Sequence, residues 1–168
     1  MKRIFILNAF PRSGKDEMVK AITNYLSRKH NIKTYNISSV DRVKEAAHLL
    51  GWNGAKDLNN RNGLSDLKDL SDKYWDGPFK YMCKMIDSIS EGFIFIHIRE
   101  PEQIKRMVET FPEIKTITID RKDSLKNITN HADQRINEYV YDYVLTNDET
   151  LYQFIIKSEK FIKGFLND

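Results

Sequence analysis

Four consecutive apolar residues, Ile4-Phe5-Ile6-Leu7, run directly into Asn8-Ala9-Phe10-Pro11-Arg12-Ser13-Gly14-Lys15-Asp16, and a helical pattern follows with Met18, Val19, Ile22 and Leu26 on one face. A strand, a tight loop ending in Gly-Lys and a helix together make the layout of a phosphate-binding loop, and the layout demands these residue types. A loop curled over a helix N-terminus converges backbone N–H groups on one point, and the helix dipole adds positive potential there. Gly14 lets the backbone approach phosphate oxygens, and Lys15 supplies a full charge for the β- and γ-phosphates. Two positions depart from the usual G-x-x-x-x-G-K-[ST]. Ala9 replaces the first glycine, and Asp16 replaces the hydroxyl that binds Mg²⁺. A carboxylate beside a triphosphate is repelled unless a cation lies between them, so Asp16 reads as a metal ligand, direct or through water. The alternative is a plain strand-turn-helix with Asp16 as a dipole partner in the first turn.

Length and composition fit one domain with a substantial core: 168 residues, 40% hydrophobic and 30% charged. A formal net charge of +3 is too small to argue for nucleic acid. The single Cys83 excludes an internal disulfide and fits a reducing, cytoplasmic compartment. The N-terminal Met1-Lys2-Arg3 and its short apolar run read as a first strand, because the phosphate loop follows at once and no small-residue cleavage site intervenes. No apolar stretch approaches membrane-spanning length.

Strand-length apolar runs alternate with helical patterns. Strands are predicted at 3–8, 33–37, 93–98, 115–119 and 143–146. Helices are predicted at 15–29, 40–50, 64–74, 79–90, 102–111 and 150–166. Such alternation implies a parallel sheet covered on both faces. Two polar segments interrupt it, Gly51–Gly63 and Asp120–Gln134. Each follows a unit of the sheet, and ligands of such sheets bind beyond the strand C-terminal ends. Both segments are expected to close over bound substrates.

The residues resemble a known family. Ser13-Gly14-Lys15-Asp16 with a preceding basic residue is similar to the loops of phage-type deoxynucleoside monophosphate kinases and of animal-type phosphomevalonate kinases. Asp41-Arg42-Val43-Lys44-Glu45, followed by Gly51-Trp52, looks like the Asp-x-x-Lys-Glu…Gly-Trp region of the phage-type enzymes. Arg99-Glu100-Pro101-Glu102 resembles their segment after strand three, and Tyr141-Asp142-Tyr143-Val144-Leu145-Thr146-Asn147-Asp148 resembles the final strand of nucleoside monophosphate kinases. The resemblance implies a P-loop three-layer α/β/α sandwich whose five-stranded parallel sheet runs in the order 2-3-1-4-5. The chain would be a single kinase domain with a substrate-binding insertion at about 51–78 and a lid-like insertion at about 120–135. It would transfer the γ-phosphoryl group of ATP, with Mg²⁺, to a (deoxy)nucleoside monophosphate.

Under that reading Ala9, Ser13, Gly14, Lys15 and Asp16 bind the donor phosphates. Lys15, Arg12 and Arg99 are the catalytic candidates, although a solvated loop charge describes Arg12 equally well. Asp41, Lys44, Lys56, Arg61 and Arg99 are candidates for the acceptor, with Arg99 suited to bidentate phosphate binding. Arg121 could cover the donor adenine. Asp16 and Glu100 are the metal candidates. His97 stands where family members often carry Asp, and it reads as a functional departure or as a satisfied strand-end histidine. Partners would be small nucleotides, with no membrane and no specific nucleic acid, and a homodimer is compatible with the reading. Two rivals stay open: a P-loop kinase for another phosphorylated small molecule, such as phosphomevalonate, and a nucleotide-binding regulator without turnover.

Overall fold

The first strand, β1 (Lys2–Ala9), lies in the middle of the sheet, and its residues from Ile4 onward are all buried. A strand covered on both faces has no solvent side to mark with polar residues, which explains the unbroken apolar run. The structure is a computed structural model, and it describes residues 1–55, 57–122 and 135–166. After β1 come α1 (Lys15–His30), β2 (Thr34–Ser38), α2 (Asp41–Leu49), α3 (Leu58–Trp75), α4 (Gly77–Ser88), β3 (Gly92–His97), α5 (Pro101–Thr110), β4 (Lys115–Asp120), a short 3-10 turn (Ile136–Glu138), β5 (Tyr143–Thr146) and α6 (Leu151–Lys163). The five strands form one sheet in the order β2-β3-β1-β4-β5, as the resemblance implied. β1 pairs in parallel with β3, Phe5 beside Phe95, and with β4, Leu7 beside Ile117. β5 pairs in parallel with β4.

The chain divides into two compact units, one formed by 1–36 with 91–168 and the other by 37–90. In the first unit, alternate strand residues Phe5, Leu7, Phe93, Phe95, Ile117, Ile119 and Leu145 meet Met18, Val19, Ile22 and Leu26 of α1 and Phe154 and Ile162 of α6. Phe5 is the hub of this core. Its ring lies 5.8 Å from Phe95, 6.1 Å from Phe93 and 5.0 Å, edge-on, from Phe165. The intervening residues Ile4, Ile6, Ile94 and Ile96 are buried as well. Gly92 opens β3 with a φ of +105°, and a Cβ there would sit 2.5 Å from the Lys33 carbonyl oxygen, so no other residue fits. Thr150 and Gln153 form a reciprocal capping box at the start of α6.

In the second unit Val43 and Ala47 of α2 and Met82 and Ile86 of α4 are buried. Helix α3 begins at Leu58, six residues before the predicted start, so half of the segment taken as a polar insertion is helix. Its N-cap is Asp57, whose carboxylate accepts the Asn60 N–H at 3.0 Å. The one buried residue of α3 is Lys68, whose ammonium group is paired with Asp72 at 2.7 Å. Leu58 and Leu70 of the same helix are exposed.

Candidate phosphate-binding site

The loop between β1 and α1 starts inside the core. Ala9 and Phe10 are buried, so the end of β1 fixes where the loop begins. Arg12 takes a left-handed backbone (φ +64°), Gly14 follows at φ +101°, and Lys15 is the first residue of α1. Two positive φ values within three residues wind the loop tightly over the helix N-terminus, the geometry that converges backbone N–H groups on an anion. The Ser13 N–H closes the turn on the Phe10 carbonyl at 3.2 Å, and the Gly14 carbonyl accepts the Met18 N–H at 2.9 Å. A Cβ on Gly14 would lie 2.4 Å from Asn147 Nδ2 and 3.2 Å from the Phe154 ring. Only glycine therefore combines this φ with this packing.

At the end of this strand and in the loop, two buried polar atoms have no hydrogen-bond partner among the described residues, Asn8 Oδ1 and Ser13 Oγ. Both residues are 1% exposed. An unsatisfied buried polar atom costs on the order of 1–3 kcal/mol, so a bound group or water that completes its bonding is favoured there. The Ser13 hydroxyl sits within the loop that the sequence reads as a phosphate cradle. It is a donor suited to a phosphate oxygen.

The ends of the other strands of the first unit surround the loop with polar groups. Arg99 follows β3, is exposed at its side chain, and gives its carbonyl to Asn8 Nδ2 at 3.0 Å. Glu100 is the N-cap of α5, and its carbonyl receives the Gln103 and Ile104 N–H groups. Arg121 follows β4, and its Nη1 donates to the Arg12 carbonyl at 3.4 Å, which sets it directly beside the loop. Asp16 is exposed in the first turn of α1. Arg135 is held by Glu102 and Glu138, the latter at 2.9 Å, and the Arg135 hydrogen bond keeps the Glu102 carboxyl below its usual pKa. His97 bonds through Nε2 to the side-chain oxygen of Asn36, so it is a satisfied strand-end histidine. Three acceptor candidates belong to the elements between β2 and α4. Asp41 lies in the second unit and accepts the Ser38 N–H at 2.7 Å; Lys44 and Arg61 are exposed on α2 and α3. Lys56 and nearly all of the lid-like segment, including His131 and Asp133, lie outside the described residues.

Sequence reasoning picked out the final-strand motif but not what its residues do. Tyr141 OH accepts from Asn8 Nδ2 at 2.8 Å and donates to the Ile136 carbonyl at 3.0 Å. Burial pushes its phenol up to about 12, so it remains a neutral donor. The Asp142 carboxylate takes the Thr116 N–H at 2.7 Å and the Thr116 hydroxyl at 2.9 Å, which fastens β5 to β4. Asn147 Nδ2 donates to the Ser13 carbonyl at 2.6 Å, and Asp148 Oδ1 accepts the Lys122 N–H at 3.0 Å. The signal that could have found these roles is the density of Asn, Asp and Tyr at a strand end, where side-chain amides and carboxylates satisfy stray backbone groups.

Among the described residues, no cluster of three His, Cys, Asp or Glu side chains could hold a metal by itself, and no helix is long and apolar enough to cross a membrane. No protein-family model matches the chain, and no curated protein is similar to it in sequence. Solved structures do share its fold. The shikimate kinase of Bacteroides thetaiotaomicron is 15% identical with a TM-score of 0.55, over 99% of both chains. The APS kinase of Mycobacterium tuberculosis, solved in complex with AMPPNP and APS, is 13% identical with a TM-score of 0.51, over 96% of this chain and 98% of that one. A sugar kinase from Janibacter is 12% identical with a TM-score of 0.50, over 97% of this chain and 95% of that one. The chain shares with these three kinases the fold of a parallel five-stranded sheet covered by helices.

Proposed function

We propose that this chain is a P-loop phosphotransferase that moves the γ-phosphoryl group of ATP to a phosphorylated small molecule, with a (deoxy)nucleoside monophosphate as the acceptor. The observation that carries the reading is the loop itself: Gly14 left-handed and packed so that only glycine fits, Lys15 at the first helical position, and a buried Ser13 hydroxyl without a hydrogen-bond partner among the described residues. Phosphoryl transfer asks a protein for positioning and charge stabilisation, and these residues provide both. The loop N–H groups and the Ser13 hydroxyl hold the donor phosphates. The Lys15 ammonium neutralises charge that develops on the transferred group. Arg99, at the end of β3, orients the acceptor phosphate, and Arg121 covers the donor side of the loop. Asp41, Lys44, Lys56 and Arg61 are proposed for acceptor recognition.

The residues present also suit Mg²⁺, which usually keeps several waters and takes one or two carboxylates along with substrate phosphates. Asp16, exposed in the first turn of α1, is the carboxylate proposed for it, with Glu100 as the second candidate. When bound, the ion would neutralise the β- and γ-phosphate oxygens. Asp16→Asn is expected to raise the Mg²⁺ concentration needed for half-maximal rate more than it weakens metal-free nucleotide binding. Tighter nucleotide binding with an unchanged Mg²⁺ requirement would make Asp16 only a dipole partner of the helix. Arg99→Ala is expected to raise the acceptor KM, or lower kcat/KM for the acceptor, while ATP affinity holds. A loss confined to ATP binding would move Arg99 to the donor side.

His97 favours one competing reading. Its position is where the resembled family often has a carboxylate, and its ring is bonded to Asn36. A nucleotide-binding regulator would tolerate that change. Screening the common NMPs and dNMPs with ATP and Mg²⁺, with phosphomevalonate as a further acceptor, decides among the three. Acceptor-dependent ADP formation with a nucleotide supports the proposal. Formation with phosphomevalonate alone replaces the acceptor class. ATP binding without any acceptor-dependent turnover favours the regulator.

A further inference from the structure

The side chain of Asn147, 6% exposed at the end of β5, is wedged against the phosphate loop. Its backbone N–H is fixed to the Asp120 carbonyl at 2.8 Å, which ties it to the end of β4. Its Nδ2 lies 2.6 Å from the Ser13 carbonyl oxygen, and it lies so close to Gly14 that a Cβ there would meet it at 2.4 Å. The Ser13 carbonyl and the Gly14 N–H belong to one planar trans peptide and point in opposite directions. Holding the carbonyl on Asn147 therefore turns the Gly14 N–H to the other side of the loop. In a loop folded over a helix N-terminus, that is the side on which anion-binding N–H groups converge. Glycine at φ +101° has no side chain to resist rotation of this peptide, so some other group must set its orientation.

We infer that Asn147 is a positioning residue: by gripping the Ser13 carbonyl it holds the Gly14 N–H in its phosphate-binding orientation. The inference rests on the phosphate-binding reading of the loop for its purpose, but not for its geometry. It goes beyond the transfer reaction by assigning the loop's competence to a residue from the opposite end of the chain. The preceding carbonyl, that of Arg12, is held in its turn by Arg121 Nη1 at 3.4 Å.

Two variants of the full chain test this, with inorganic pyrophosphate as the titrated probe and the Gly14 amide NMR signal as a ligand-free readout. Asn147→Leu keeps approximate shape and neutrality but cannot donate. Asn147→Asp sets a carboxylate against a carbonyl oxygen, and regains a donor only when protonated. The expected result for Asn147→Leu is roughly tenfold weaker pyrophosphate binding, the scale of a lost buried hydrogen bond, together with a displaced or broadened Gly14 amide signal in the free protein. Asn147→Asp should be weak at neutral pH and should recover toward wild type, relative to wild type at the same pH, as its carboxyl protonates. Asn147→Leu should show no such recovery, which a merely structural loss would not distinguish. A folded Asn147→Leu protein with wild-type pyrophosphate affinity and an unmoved Gly14 signal overturns the inference. If Asn147→Leu does not fold, Asn147→Asp decides alone, and the absence of pH recovery overturns it. If the wild-type chain binds no pyrophosphate, the phosphate-binding reading has failed, and the Gly14 signal still tells whether Asn147 sets that peptide.

Discussion

Lys15→Ala is expected to lower acceptor-dependent ADP formation by on the order of 10²-fold or more, with the fold retained. Lys15 stands at the first position of α1, and the helix anchors itself in the core through Met18, Val19, Ala21, Ile22 and Leu26. Truncating the side chain at Lys15 leaves those anchors in place. What disappears is a full positive charge at the point where the helix dipole, the loop N–H groups and the developing phosphoryl charge meet, and such charge matters more in the transition state than in the ground state. The deficit should therefore fall mainly on kcat. Steady-state rates with ATP and the best acceptor, alongside circular dichroism and a melting curve, test this. A folded Lys15→Ala chain with wild-type turnover would remove the basis for the proposed function.

Phe5→Ala is expected to cost about 3–5 kcal/mol of stability, and to lower Tm by on the order of 10 °C. Phe5 is 1% exposed and lies within 6.5 Å, centroid to centroid, of four other rings: Phe93, Phe95, Phe161 and Phe165. These rings come from β3, α6 and the turns after it, so no single neighbour can collapse into the space. The cavity term adds to the lost transfer free energy. Calorimetric unfolding of the two proteins gives the comparison. A loss under about 1 kcal/mol would show that the centre of the core lies elsewhere.

The sequence revealed the sheet well because its inner strands β1 and β3 are short, doubly buried apolar runs. Predicted and observed strand ends differ by at most one residue, as for 115–119 against Lys115–Asp120. Helix α3 was harder. Asn59-Asn60-Arg61-Asn62-Gly63 is turn formers except for Arg61, and by propensity it reads as a loop. One cap at Asp57 nevertheless starts the helix there, while its buried position is a paired lysine rather than a leucine. The phosphate loop was legible because its requirements are local: a positive φ, a lysine and a helix start within a few residues. The groups that brace it were not. Asn147 and Ser13 are 134 positions apart, and Asn8 and Tyr141 are 133 apart. No periodicity or spacing in a single sequence announces such a pairing. Only the order of the strands brings these residues together.

That strand order also governs how the chain can be made. Both neighbours of β1 in the sheet, β3 and β4, come from the second half of the chain, and β2 borders β3 alone. A nascent chain that has emerged only as far as Ser90 holds the apolar β1 and the more polar β2, neither with its neighbour in the sheet. No part of the sheet can form until Gly92–His97 has left the ribosome. Pairings so distant along the chain form slowly, because long loops must close before any contact is gained. For that interval Ile4-Phe5-Ile6-Leu7 is an exposed aggregation-prone segment. Expression of this protein should therefore respond to slower synthesis or to added chaperone more than its final stability would suggest.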